Sequence, residues 1–443
     1  MTSNSHLLQE IFNYDFATCS EPADFNHHFF DTALDLEELN KVCDYILDNS
    51  LEIGGKTLPA AMRIKGKETP EKPYAIVSML HGNEPCGLAG ILMAMALSEA
   101  GMLKHDIVVI VGNYLAAKQY FEAWQKDPEA RQEVRDCYRR GLYDDGTIRP
   151  DMNRIPVDFL EGDPSDYFIG RTQELYHFAQ HVYGMADIHS ARGNMICITD
   201  HLRDQDLKYT PIRSVLTDMA DAIAAHASGA VAVRTYKTVI TELPNIESQI
   251  GIEAGKHEEP YTPHVAASFI LSLFHTLGIT EVKPLHTKEN GMFDRYSVKP
   301  RITYGDLIME GELKDDDKIY MVTECKAADS IPKQSDQVVV KKDDGTYAIQ
   351  TILENIITPK GKLAYALYQY DEMSHVKADH VVALAIPGGA TFKPPYEMWP
   401  IFLSKSAALF DKDPAVGPWP ITPDQLDTKF CYPCEVSKMK LEF

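Results

Sequence analysis

Two short stretches carry side chains of the kinds that hold a metal ion. His81-Gly-Asn-Glu84 follows an apolar run, Tyr74-Ala-Ile-Val-Ser-Met-Leu80, that reads as a β-strand buried on both faces. Ligands of open α/β sheets bind outside the carboxyl ends of the strands. A His-X-X-Glu pair there can bring an imidazole nitrogen and a carboxylate to one point, which suits two of zinc's ligands. Far downstream, Met185-Ala-Asp-Ile-His189-Ser190 reads as another short strand ending in histidine. His189 would be a third protein ligand, leaving a position for water, as a catalytic zinc requires. Strand side chains alternate, so Asp187 shares a face with His189 and is placed to orient a ligand or a substrate-binding arginine. Most of the sixteen histidines are expected to do nothing of the kind, since a histidine at a strand end ordinarily just caps it. For His81 and His189 the context favours the metal.

Between the two stretches lies Arg149-Pro-Asp-Met-Asn153-Arg154. A guanidinium beside an amide offers a planar fork of donors matched to a substrate carboxylate, although a solvated loop is the ordinary meaning of Asn-Arg. Other signals are weaker. Gly54-Gly-Lys-Thr57 resembles the tail of a phosphate-binding loop, but Ser50 stands where its first glycine should be. Cys431-Tyr-Pro-Cys434 lacks a second pair and reads as ordinary chain. No Gly-X-Ser-X-Gly elbow is present, which counts against a serine nucleophile of the α/β-hydrolase kind. Cys86 is read as packing.

The elements that must position these residues follow from periodicity. Leu36, Leu39, Val42, Ile46 and Leu47 put one apolar stripe on a helix over 35–47, after a polar lead-in. Strands are expected from about Leu58, over 74–80, 106–112, 185–189, 195–199, 230–239 and 248–253. Helices are expected over 88–100, 172–183, 210–228 and 263–277, with a loop-bearing, charge-rich stretch over 114–160. Strands alternating with helices predict an α/β domain over 51–280, with a mostly parallel mixed sheet flanked by helices. After residue 281, short β-favouring pieces between Asp, Gly, Pro and Lys turns predict a β-rich C-terminal domain over 281–443.

Composition bounds the function. The 443 residues are 44% hydrophobic and 24% charged, enough for a large core. Forty-three basic against sixty-five acidic residues give a net charge of −22, which argues against nucleic acid or an anionic membrane as partner. No run approaches the length of a membrane span, and Met1 to Phe16 has neither a basic n-region nor an apolar h-region of a signal peptide. Eight dispersed cysteines read as reduced thiols. The expectation is a cytoplasmic protein.

In order and spacing, His81-Gly-Asn-Glu84, Asp151-Met-Asn153-Arg154, Asp187-Ile-His189-Ser190 and Ile252-Glu253-Ala-Gly255 resemble the succinylglutamate desuccinylase/aspartoacylase family, over roughly residues 60 to 280. Each motif alone is weak; four in family order are specific. The resemblance implies a zinc hydrolase of the carboxypeptidase-A-type α/β fold. It implies one zinc ion per chain held by His81, Glu84 and His189, with Asn153 and Arg154 as the carboxylate clamp. It makes Glu253 the general base, a role the residue types alone would not distinguish from Glu242 or Glu247. The arginine that polarises the scissile carbonyl is not fixed by spacing: Arg140, Arg149 and Arg192 are candidates, and Arg192 matches an Arg-Gly pair of the desuccinylases with a one-residue offset. Met152 in place of the family's usual Leu is a volume-conserving swap. The implied activity is deacylation of a small-molecule N-acyl amino acid. Cleavage of peptide C-termini by a metallocarboxypeptidase, or metabolite binding without catalysis, are the alternatives. Substrate identity and oligomeric state are left open.

Overall fold

The computed structural model describes residues 3–128, 136–152, 162–191, 196–200, 230–234, 248–257, 259–283, 292–299, 301–325, 337–351, 362–367, 374–401 and 420–440. The chain divides into two compact units, Met1–Tyr296 with Ser437–Phe443, and Ser297–Val436. The sequence texture changes at 281, a little before that division.

The first unit opens with three helices, α1 (Ser3–Phe12), α2 (Pro22–Phe30) and α3 (Leu36–Leu47). The stripe expected on α3 is buried through Leu39, Val42, Cys43 and Ile46, and Asp35 and Glu38 close a capping box at its start. The polar lead-in expected before it contains α1 and α2, whose Leu8, Phe25 and Phe29 are buried in the main core.

The strands of this unit are β1 (Ser50–Ile53), β2 (Lys56–Pro59), β3 (Ala61–Ile64), β4 (Tyr74–Ser78), β5 (Ile107–Val111), β6 (Gly184–Ala191), β7 (Ile196–Asp200), β8 (Ala230–Arg234), β9 (Ser248–Lys256) and β10 (Met292–Val298). The stretch that resembled a phosphate loop turns a hairpin: Gly54 and Gly55 both take positive φ, at 57° and 76°, between antiparallel β1 and β2. The large sheet runs β10-β8-β7-β9-β6-β4-β5-β3 within this unit. Its centre is parallel (β5, β4, β6 and β9), while β3 joins β5 and β7 joins β9 antiparallel. The sheet is therefore mixed.

Residues alternate between two cores. Ile76, Val109, Ala186 and Ile188 face helices α4 (Gly87–Glu99) and α7 (Thr262–Thr276), whereas Ala75, Val77, Val108 and Met185 face α6 (Tyr167–Gln180). Every residue of α4 from Gly87 to Leu97 is buried, which is why its composition is apolar all round. Fully burying each large side chain contributes about 1.5–3 kcal/mol, so this helix anchors the layer behind the loop that carries His81. A further helix, α5 (Tyr114–Lys126), lies in the stretch read as loop-bearing and buries Ala116, Ala117, Tyr120 and Phe121. The helix expected over 210–228 lies outside the described residues.

The second unit is β-rich. It contains β11 (Ile302–Thr303), β12 (Ile308–Glu310), β13 (Lys318–Glu324), β14 (Gln337–Lys341), β15 (Tyr347–Thr351), β16 (Lys362–Leu367), β17 (Ala383–Ile386), β18 (Thr391–Lys393) and β19 (Trp399–Ile401). Seven of these form a sheet in the order β12-β18-β17-β13-β16-β14-β15. Ile319, Met321, Ala383, Ala385 and Phe392 fill its core, in step with the alternation of the strands. Among the described residues, no helix is long and apolar enough to cross a membrane.

Candidate metal centre

Strand β4 pairs with β5 on one side and β6 on the other, both parallel, so the chain leaves β4 in one direction and returns in the opposite one. That reversal opens a crevice at the carboxyl ends of the strands. The loop 81–86 leaves β4 into this crevice. Met79, fully buried, adopts φ 52°, a left-handed conformation that turns the chain sharply out of the strand. Gly82 then passes so close to α5 that a Cβ there would lie 2.5 Å from the Ala116 carbonyl and 2.7 Å from the Tyr138 oxygen. Only glycine fits.

His81, Glu84 and His189 converge. One ligating atom from each lies within 4.8 Å of the others, and all three residues are buried. The imidazole centroids are 5.0 Å apart. Nδ1 of His81 is 3.1 Å from Glu84 Oε1, and Nδ1 of His189 is 2.7 Å from Glu84 Oε2. Each ring is held from behind by a second carboxylate: His81 Nε2 is 3.1 Å from Asp151 Oδ1, and His189 Nε2 donates to Asp187 Oδ2 at 2.7 Å. Among the described residues no other trio of His, Cys, Asp or Glu converges in this way.

The electrostatics follow from burial and pairing. Burial by itself would raise the Glu84 carboxyl, but His81, Arg139 and His189 hold it well below the usual carboxylate range. Burial would likewise strip His189 of its proton, yet Asp187 and Glu84 keep that imidazole well above its ordinary value. Cys86 donates from Sγ to the His189 carbonyl at 3.4 Å; burial, reinforced by Glu84, pushes its thiol up.

The donor set fits a divalent cation. Both imidazoles present Nδ1 toward a shared carboxylate; Nε2 of His189 is turned to Asp187, the outer-shell arrangement that fixes the tautomer of a metal-ligating histidine, while Nε2 of His81 lies beside both Asp151 and the Arg139 guanidinium. Two nitrogens and a carboxylate suit zinc and other first-row ions. A buried cluster of this charge density costs several kcal/mol per ion to desolvate, which makes it a poor device for stability alone.

The other expected residues fall as follows. Glu253 is buried on β9 and stands opposite His189 in the parallel register, on the same face of the sheet. Arg149 is engaged in its own loop: Nε donates to the Leu142 carbonyl at 3.2 Å, and the guanidinium lies 4.2 Å from the Tyr143 ring centre. Arg140 is buried, and its carbonyl accepts from Asn113. Asn153, Arg154 and Arg192 lie outside the described residues. Among the described residues an arginine that meets the cluster is Arg139, whose Nη1 donates to Glu84 Oε1 at 2.6 Å and whose Nη2 is 3.0 Å from His81 Nε2. The sequence reading did not single it out. It sits on a short turn, Asp136–Arg139, where no periodicity fixes a direction. Asp151 was visible in its motif, but its bond to His81 was not.

No family model and no curated protein matches the chain. Members of the family suggested by the motifs are among the solved structures to which the chain is similar. Product-bound ectoine utilization protein EutE (DoeB) from Ruegeria pomeroyi is 12% identical, with 78% of this chain and 89% of that chain covered and a TM-score of 0.44. Murine aminoacylase 3 is 12% identical, with 84% and 98% covered and a TM-score of 0.42. A succinylglutamate desuccinylase/aspartoacylase from Rhodobacter sphaeroides is 14% identical, with 76% and 87% covered and a TM-score of 0.39.

Proposed function

We propose that this chain is a zinc-dependent deacylase of the carboxypeptidase-like fold, hydrolysing the amide of an N-acyl amino acid. The observation that carries the reading is the meeting of His81, Glu84 and His189 at the carboxyl ends of β4 and β6, each imidazole backed by its own aspartate. A zinc ion held there would acidify water toward a pKa of about 7 and polarise an amide carbonyl.

The chain's own residues do the rest. Glu253, opposite His189, takes a proton from the attacking water and later delivers it to the departing amine nitrogen. Arg139, already beside Glu84, donates hydrogen bonds to the oxygen that gains charge as the carbonyl becomes tetrahedral. Asp151 and Asp187 hold the two rings in place while this happens. Asn153 and Arg154, by the family resemblance, grip the substrate carboxylate and fix the amide over the site.

The test is a hydrolysis screen of the purified protein over N-acetyl, N-succinyl and N-formyl amino acids and short peptides, with and without a chelator. The expected result is amine release from at least one acyl amino acid, abolished by the chelator and restored by zinc. Turnover that persists after the metal has been removed, or cleavage confined to peptides, would contradict the proposal.

A further inference from the structure

We infer that Asn113 is a positioning residue that holds the Arg139 segment at the depth where its guanidinium reaches Glu84. This rests on the role given to Arg139 above.

The segment 139–142 belongs to no strand or long helix, so something else must fix it. Its backbone is pinned at successive points. The Gly82 amide donates to the Arg139 carbonyl at 2.8 Å. Asn113 Nδ2 donates to the Arg140 carbonyl at 3.1 Å. Gln119 grips Leu142 at both backbone groups, accepting from its amide at 2.7 Å and donating to its carbonyl at 3.1 Å. Arg149 closes the far side, its amide donating to the Gly141 carbonyl at 3.0 Å. Of these, Gly82 and Asn113 bracket the arginine most closely, and Gly82 is itself part of the loop bearing His81 and Glu84.

Asn113 is buried and can point only one way. Its Oδ1 accepts from the Ala116 amide at 3.1 Å, capping α5, and from the Tyr167 hydroxyl at 3.0 Å. An amide N–H can only donate, so the oxygen must face Ala116. The Nδ2 must then face the Arg140 carbonyl, which can only accept. Tyr167 remains a donor, because burial pushes its phenol up, and its oxygen accepts from the Leu115 amide at 3.1 Å. Asparagine therefore performs a task that aspartate, equally good as a cap, cannot.

Asn113→Asp keeps the cap and the bond from Tyr167 and removes the Nδ2 donor to the Arg140 carbonyl. Four proteins are compared: wild type, Asn113→Asp, Arg139→Ala and the double variant. Metal content is measured in each and is expected to be unchanged. Loss of Arg139 should lower kcat/KM about 10²-fold, the effect of deleting one oxyanion donor. Asn113→Asp should lower it ten- to a hundredfold, roughly the effect of a small misplacement. The double variant should be no worse than Arg139→Ala, because a residue acting through another adds nothing once that other is gone. Losses that multiply would overturn the positioning role while leaving the catalytic reading intact; a normal rate for Arg139→Ala would overturn both. Hydrogen exchange gives a readout independent of any substrate. In Asn113→Asp the amides of Gly82 and Leu142 should exchange about tenfold faster or more, with that of Ala116 unchanged. Wild-type protection at Gly82 and Leu142 would refute the inference.

Discussion

His81 and His189 both turn Nδ1 toward Glu84 and have an aspartate beside Nε2, which gives the cluster its chemical direction; His81 Nε2 also meets the Arg139 guanidinium. Either a proton or a metal cation can join Nδ1 to the carboxylate, so metal uptake here releases protons. Glu253 belongs to a different strand and is not required for that grip. Glu253→Gln is accordingly expected to retain bound zinc and to lose turnover by 10²-fold or more, measured by kcat on the best substrate of the screen together with metal content. Near-normal kcat would assign the base elsewhere. At this scale the sequence was informative where strand ends fix a direction. His81 follows the largely apolar run Tyr74–Leu80 and His189 closes the short strand Met185–His189, so both could be placed at the sheet's carboxyl edge from their flanks. Arg139 could not, because it hangs from an irregular segment whose course is set by side-chain bonds from Asn113 and Gln119, distant in sequence.

Elements were legible where one periodicity ruled. Strands β4 and β5 are continuous apolar runs because helices cover both faces. Helix α5 was hidden by its own surface: Lys118, Gln119, Glu122, Gln125 and Lys126 surround a narrow apolar face of Ala116, Ala117, Tyr120 and Phe121. Helices α1 and α2 are short, and their phenylalanines declare a core only once they meet α4. The join between β3 and β5 depends on a buried acid at the start of β5. Asp106 Oδ1 accepts from the Gly66 amide at 2.8 Å, and Oδ2 accepts from Lys65 and Thr69 at 3.0 Å each. Burial would raise this carboxyl, but the Gly66 amide, Lys65 and Thr69 hold it below its ordinary value. A depressed carboxyl stabilises the fold above the unfolded pKa, about 3.9 for aspartate, and that contribution fades as pH falls through the lower folded value. Asp106→Asn should thus cost about 2 kcal/mol at pH 7 in denaturant titration, with the gap to wild type closing below about pH 4. A gap that persisted unchanged at pH 3 would show that the charge on Asp106 is not what matters.

Over the whole molecule, an α/β unit and a β-rich unit each carry their own core. The β-rich character of the C-terminal part was legible in the sequence, where apolar runs of helix length give way to short alternating pieces between turns. The net charge of −22 belongs to this scale too: it favours a divalent cation over any polyanion at long range. The central claim is that the first unit grips such a cation through His81, Glu84 and His189. The most direct measurement is the metal content of the purified protein by elemental analysis, for wild type and for Glu84→Ala and His189→Ala after equal exposure to zinc. The account predicts about one tightly held ion per wild-type chain, as for a site with three protein ligands, and loss of most of it in both variants. A wild-type chain that holds no ion, or variants that bind as much as wild type, would contradict it.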